Sequence, residues 1–187
     1  EKWVRLVRLS GSCEYPADFM LVAAMNPCKC GWYPDMQRCT CSQASVRRYL
    51  ERVSKPLLDR IDISVEAQRI PFEELAKGER GEASGEIRRR VTAAHQMQRE
   101  RYRGEAFSYN SQIPAARIRE FCALTREQET YMEQIYQRLE LSARAYHKIL
   151  KVARTLADMD QEKRIEKRHL SEAVCYRGLD QKYWERP

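Results

Sequence analysis

Two spacings of apolar residues divide the chain. Up to about residue 67 they come in short runs of strand length, and beyond residue 84 they recur every three or four positions, as in helices packed on one face. Trp3-Val4-Arg5-Leu6-Val7-Arg8-Leu9 followed by Ser10-Gly11-Ser12 reads as the start of a β-hairpin. Residues 19–25, Phe-Met-Leu-Val-Ala-Ala-Met, form a continuous apolar run. That is the pattern of a strand covered on both faces in a parallel sheet, with a buried helix as the alternative. Ile61-Asp62-Ile63-Ser64-Val65-Glu66 alternates strictly and predicts a half-exposed strand nearer a sheet edge. Between the two, Val46, Tyr49, Leu50 and Val53 fall at helical spacing, with Arg47, Arg48 and Arg52 on the other sides.

The second half reads as helical throughout. Ser84 is placed to cap a helix over about 84–103, which Gly104 ends. Thr125 with Gln128 three residues on is a capping-box pattern ahead of Met132, Ile135, Tyr136 and Leu139. Ser142 caps a further helix over 143–159, whose Tyr146, Ile149, Leu150, Ala153, Leu156 and Ala157 make one apolar stripe. A shorter helix is expected over 169–177, ahead of Gly178. Residues 77–85 hold three glycines and no large apolar side chain, the composition of a linker. The expected organisation is an α/β part over 1–67, a linker over 68–83 and an all-α domain over 84–187, mostly helical overall.

Composition agrees with a globular chain. Of 187 residues 43% are hydrophobic and 33% charged, enough to bury a core beneath a mixed-sign surface, which excludes fibrous and disordered classes. The longest apolar run falls far short of the roughly 18 residues that cross a bilayer, and no secretory leader opens the chain, so no membrane role is expected. Because Glu1 directly precedes a strand-like run, a piece of a longer protein is expected. The net charge of +7 is unevenly shared, +1 on residues 1–83 and +6 on 84–187. Seven cysteines, four of them crowded into 28–41, suit a reducing, cytoplasmic compartment better than a disulfide framework.

Those four, Cys28, Cys30, Cys39 and Cys41, form two CxC pairs eight residues apart. Four thiolates in one short loop match the tetrahedral sulfur shell that structural zinc prefers, and leave no open position for catalysis; buried or reactive free thiols are the alternative. Asn26 directly follows the apolar run, so in a parallel sheet its amide stands at the carboxyl edge, where open α/β sheets bind ligands; otherwise it starts the turn into Pro27. Arg60 enters the alternating segment, and with parallel strands it lies at the opposite end of the sheet from Asn26. It then serves a neighbouring subunit's ligand, as an arginine finger acting in trans does, or pairs locally with Asp59 or Asp62. Arg144 stands two residues after Ser142, in a first helical turn where free N–H groups favour an anion, and adds a fork for phosphate unless it is simply solvated. Arg88-Arg89-Arg90, Arg99-Arg101-Arg103 and Lys163-Arg164-Lys167-Arg168 are interleaved with acidic residues, the mark of a solvated face more than of a nucleic-acid groove. His95, His147 and His169 have no ligand-like spacing.

Tyr15-Pro16-Ala17 leading into Val22-Ala23-Ala24-Met25-Asn26-Pro27-Cys28, then Leu57-Leu58-Asp59-Arg60-Ile61-Asp62, then Leu141-Ser142-Ala143-Arg144-Ala145-Tyr146-His147 through Thr155, resemble the magnesium-chelatase-like AAA+ ATPases of the competence protein M (YifB) type. The resemblance spans nearly the whole chain. It implies the distal part of an AAA+ core, with a pre-sensor hairpin and the cysteine loop, followed by a helical lid. It also implies Asn26 as the sensor-1 residue beside the γ-phosphate, Arg60 as the trans-acting finger, and Arg144 as the sensor-2 arginine, with the 3–15 segment facing the central pore of a hexamer.

No GxxxxGK[ST] phosphate loop and no apolar strand ending in Asp-Glu occur, so this chain alone is not expected to hydrolyse ATP. The resemblance places those parts upstream and implies a homo-hexameric ATPase, using ATP and magnesium, that moves branched DNA intermediates. Chelatase-type remodelling of a protein or metallocofactor partner is the alternative, and a zinc-stabilised helical binding module a third.

Overall fold

The computed structural model describes residues 3–77, 81–177 and 182–184. The expected end of the last helix at Gly178 lies outside them. Two compact units divide the chain, Glu1–Tyr49 and Leu50–Pro187.

In the first unit, the alternating apolar and polar residues pair as an antiparallel hairpin of β1 (Trp3–Arg8) and β2 (Gly11–Pro16), with Trp3 opposite Pro16 and Arg8 opposite Gly11. Leu9 and Ser10 make the turn, so the Ser10-Gly11-Ser12 turn expected from sequence shifts by one residue and Gly11 joins the strand. Arg5 and Glu14 face each other across the ladder and pair through their side chains. Every residue of both strands is exposed. Residues 19–25 are not the buried strand expected: they make no ladder, and Phe19, Met20, Leu21, Val22 and Met25 are exposed. A central parallel strand needs neighbours on both edges and cover on both faces, and among the described residues the only sheet is the hairpin. A looped cysteine segment then leads into α1 (Gln43–Leu50), where the Ser42 hydroxyl accepts a hydrogen bond from the Ser45 amide at 3.3 Å.

The second unit is helical. It contains α2 (Lys55–Leu58), α3 (Phe72–Lys77), α4 (Ser84–Arg101), α5 (Ile118–Phe121), α6 (Arg126–Arg138), α7 (Ala143–Met159) and α8 (Lys167–Cys175). Together with the hairpin it gives the fold class expected, a small β-containing part with a Cys-rich loop followed by a helical domain, mostly helical overall. Helix α4 starts one residue earlier than expected: Ser84, the expected cap, is its first residue and Ala83 takes the cap position, and Gly104, at φ +86°, turns the chain just beyond its end. The Thr125–Gln128 box forms as expected, with the Thr125 N–H donating to Gln128 Oε1 at 2.9 Å and the Gln128 N–H to Thr125 Oγ1 at 3.3 Å. Ser142 caps α7 by accepting from the Ala145 N–H at 3.1 Å. The apolar stripe of α7 then fills the core, where Ile149, Leu150 and Ala153 pack with Met132 of α6, Leu170 of α8 and Ile113.

Beside that core lies a buried polar cluster. Asp158 of α7 accepts from Arg101 Nη1 at 2.9 Å, from Asn110 Nδ2 at 2.8 Å and from Arg154 Nε at 3.2 Å. Arg154 also donates to the carbonyls of Glu162 at 2.6 Å and Lys163 at 3.0 Å, fastening the turn that follows α7. Ile61 to Glu66 is the second departure from expectation. It forms no strand and pairs with no other strand among the described residues: Arg177, just past α8, takes the Ile61 carbonyl, and the Ser64 N–H donates to the Tyr176 carbonyl at 2.9 Å.

Candidate functional site

The cysteine loop is built from turns. The Gly31 N–H donates to the Cys28 carbonyl at 3.1 Å with Gly31 at φ +81°, a left-handed conformation that a β-carbon would strain. The Asp35 N–H donates to Trp32 O and the Cys39 N–H to Asp35 O, both at 2.8 Å, and the Arg38 guanidinium lies 5.0 Å from the centroid of the Trp32 ring. These turns bring Cys28 and Cys30 back against Cys39 and Cys41. The Cys28 sulfur is 3.3 Å from that of Cys30 and 3.9 Å from that of Cys39, and Cys30 and Cys39 are 3.6 Å apart. All four ligand atoms lie within 4.8 Å of one another, with Cys28 buried and the others half-buried. In a tetrahedral shell with metal–sulfur bonds of about 2.3 Å the sulfurs stand about 3.8 Å apart, so the arrangement can hold a metal ion.

The thiols are electrically coupled. The Trp32 amide holds the Cys30 thiol down, to about 6. At Cys39 the Cys41 amide pulls the same way, but burial and the neighbouring Cys30 and Cys28 sulfurs outweigh it and push that thiol up to about 12. Four thiolates at these distances repel one another, and a cation among them removes that repulsion.

Asn26 lies at the foot of this loop, so close to Gly31 that a β-carbon there would meet its Cγ at 3.9 Å. It is exposed, and it makes no hydrogen bond among the described residues. With no ladder over 19–25, it does not stand at a sheet edge as expected. It belongs to the first unit, and Arg60 and Arg144 to the second.

The local pairing considered for Arg60 is not formed. Asp59 lies against Arg177, with Oδ1 to Nη2 at 3.5 Å, and Asp62 pairs with Lys148 at 2.9 Å. Arg60 instead stays exposed and donates one N–H from Nη1 to the Pro56 carbonyl at 2.6 Å, which leaves four donors of its fork free for another acceptor. Arg144 occupies the first turn of α7 as expected, exposed and without an ion pair or hydrogen bond among the described residues. Its unpaired fork, the unbonded N–H groups and the positive end of the helix dipole make that spot attractive to phosphate.

Each basic cluster is ion-paired in part. Arg89 pairs with Glu86, Arg90 with Glu82, Arg101 with Asp158, and Arg168 with Asp160, Glu162 and Glu166. His169, given no role from sequence, is buried: its Nδ1 accepts from the Glu166 N–H at 2.9 Å and its Nε2 lies 3.1 Å from Asp160 Oδ2, which fixes the start of α8. Lys148 and Arg177 were also missed, because their partners lie 88 and 116 residues away in the chain and no local pattern marks them.

Two family models match the chain. One described as magnesium chelatase, subunit ChlI, covers residues 1–75, and one described as magnesium chelatase, subunit ChlI C-terminal, covers residues 81–177. Among curated relatives, the competence protein ComM of Haemophilus influenzae is 39% identical over 92% of this chain and 33% of its own length. The uncharacterized proteins YifB of Escherichia coli and of Salmonella typhimurium are 42% and 38% identical, each over 95% of this chain and 34% of their own length. The chain thus spans about a third of the length of these relatives.

Proposed function

The chain belongs to the magnesium chelatase subunit ChlI family, and from that premise we propose that it is the distal portion of an AAA+ ATPase whose ATP hydrolysis drives movement along DNA. The observation that carries the proposal is the pair of exposed arginines, Arg60 and Arg144, each with an uncommitted guanidinium fork on a segment fixed by its own fold. Such forks recognise phosphate by two parallel N–H bonds. Arg144 faces the nucleotide of its own subunit, and Arg60 reaches the γ-phosphate held by the next subunit of a homo-hexamer, where an arginine stabilises charge developing in phosphoryl transfer; Asn26 is assigned separately as the sensor-1 amide. The phosphate-cradling loop and the carboxylates for magnesium are absent from this sequence, so ATP and magnesium are held mainly by other parts of the whole protein.

The DNA assignment is supported by the similarity to a competence protein and by the fully exposed β1–β2 hairpin, which offers Trp3, Arg8 and Tyr15 to a strand of nucleic acid. The four cysteines hold a structural zinc that ties down a loop too poor in apolar residues to pack by itself.

Steady-state ATPase assays of the whole protein, with and without single-stranded or branched DNA, test the proposal. Arg60→Ala and Arg144→Ala are each expected to lower kcat by about 10³-fold or more for the finger and by a smaller factor for the lid arginine. Unchanged rates in both variants would overturn the nucleotide assignment. Hydrolysis indifferent to DNA but raised by a protein partner would replace the DNA motor with a chelatase-type remodelling ATPase.

A further inference from the structure

The peptide groups around Arg60 lie outside regular structure, and backbone carbonyls taken from water need other donors. Two cations from the helical domain supply them. Lys148 of α7 donates from Nζ to the carbonyl of Arg60 itself, and the same Nζ lies 2.9 Å from Asp62 Oδ1. Arg177, just past α8, donates from Nη1 to the Ile61 carbonyl at 2.5 Å and places Nη2 3.5 Å from Asp59 Oδ1. The Ser64 N–H adds a bond to the Tyr176 carbonyl at 2.9 Å. The Lys148 side chain is 18% exposed and that of Arg177 6%, so both grips are shielded from water, where charge-assisted bonds hold most firmly. Every residue from Asp59 to Asp62 is therefore held by the helical domain through its carbonyl or its carboxylate, while the Arg60 guanidinium points to solvent.

Lys148 stands four residues after Arg144 on the same face of α7, one turn and about 6 Å further along. One rigid helix thus carries, in successive turns, the arginine assigned to its own subunit's nucleotide and the ammonium that grips the backbone of the finger assigned to the neighbour's. We propose that Lys148, with Arg177, is a positioning residue that locks the Arg60 backbone to α7, so that a shift of α7 answering the nucleotide at Arg144 moves the finger presented to the next subunit. This inference rests on the roles given above to Arg60 and Arg144. Its physical content is rigid-body transfer: two points on one helix move together, and beside the clamp the finger is held by its side-chain bond to Pro56 and by its N–H on the Leu57 carbonyl at 2.9 Å, in the short turn that closes α2.

The test uses the whole hexameric protein and reads kcat and KM for ATP separately. Lys148→Met keeps most of the aliphatic stem and removes the charge. Losing the clamp misplaces the finger, which is expected to lower kcat by about 10²-fold while KM for ATP changes by less than about twofold. Lys148→Arg restores most of kcat. The decisive comparison is the double variant: because Lys148 acts only through Arg60, adding Lys148→Met to Arg60→Ala costs no further activity. A merely structural lysine would add its own loss on top, and that additive result overturns the proposal. Asp62→Asn, at a mostly exposed carboxylate that the fold does not bury, gives a second reading of the clamp if Lys148→Met fails to fold, with a loss of several-fold in kcat. Unchanged kcat in both Lys148→Met and Asp62→Asn overturns the clamp while leaving the finger intact. If Arg60→Ala itself leaves kcat unchanged, the nucleotide assignment falls first and takes the clamp with it, an outcome distinct from the others.

Discussion

Arg101 of α4 and Asp158 of α7, 57 residues apart in sequence, meet in a two-point ion pair at the edge of the helical core, where Asp158 is fully buried. Burial by itself gives such a pair little net stability, because desolvating both charges offsets most of their attraction. Breaking it is another matter. Asp158→Ala leaves Arg101 and Arg154 facing one another without an anion and is expected to lower unfolding stability by about 3–5 kcal/mol in urea titrations. The double variant Arg101→Met, Asp158→Leu is expected to lose less than the single one. A single variant as stable as the parent would show that the pair is not formed.

Ile149 and Met132 are almost wholly enclosed in the same core. Truncating Ile149 to Ala removes apolar contact and leaves a hole that the surrounding α6 and α8 side chains fill only in part. The expected cost is about 2–5 kcal/mol, read as a lower midpoint in chemical denaturation with unchanged slope.

The turn just past α7 sets Gln161 at φ +63°, with the Glu162 N–H reaching back to the Ala157 carbonyl at 2.8 Å. That closing turn is usually made by glycine, because a β-carbon is crowded in the left-handed region. Gln161→Gly relieves the crowding at the expense of a freer unfolded chain, and a net gain of about 0.5–1 kcal/mol is expected. A loss of stability on thermal melting would contradict it.

Protein purified without chelator is expected to hold about one zinc per chain, and Cys28→Ser with Cys30→Ser to abolish it. The ligands bind as thiolates, so acid competes with the metal: as pH falls, protons take the sulfurs and zinc leaves. Metal analysis across a pH series reads this directly. Content below about a tenth of an equivalent at neutral pH in reduced protein would sink the assignment.

What was legible in the sequence is what acts over a few residues. Ser142 and the Thr125–Gln128 box announce helix starts because each side chain bonds an amide three residues away. The four cysteines announce their cluster because ligand type and loop length already fix the chemistry. Residues 61–66 have the alternation of a strand, yet no strand pairs with them among the described residues, and groups far along the chain, the Arg177 guanidinium at Ile61 and the Tyr176 carbonyl at Ser64, bond their backbone instead. Arg60 and Arg144 were singled out by their positions, at the entrance of the alternating segment and in a first helical turn, with resemblance adding their named roles; the structure adds that both stay exposed while Asp59 and Asp62 are drawn to other cations.

The bare stretch at 19–25 has a practical side. Seven consecutive exposed residues without charge, proline or glycine, following in sequence a hairpin whose outer edges are unpaired among the described residues, have the make-up of a sticky ribbon. A concentrated solution of this chain is therefore expected to clot through that ribbon before the helical half loosens, and one lysine set at its centre, Leu21→Lys, to keep it clear for longer.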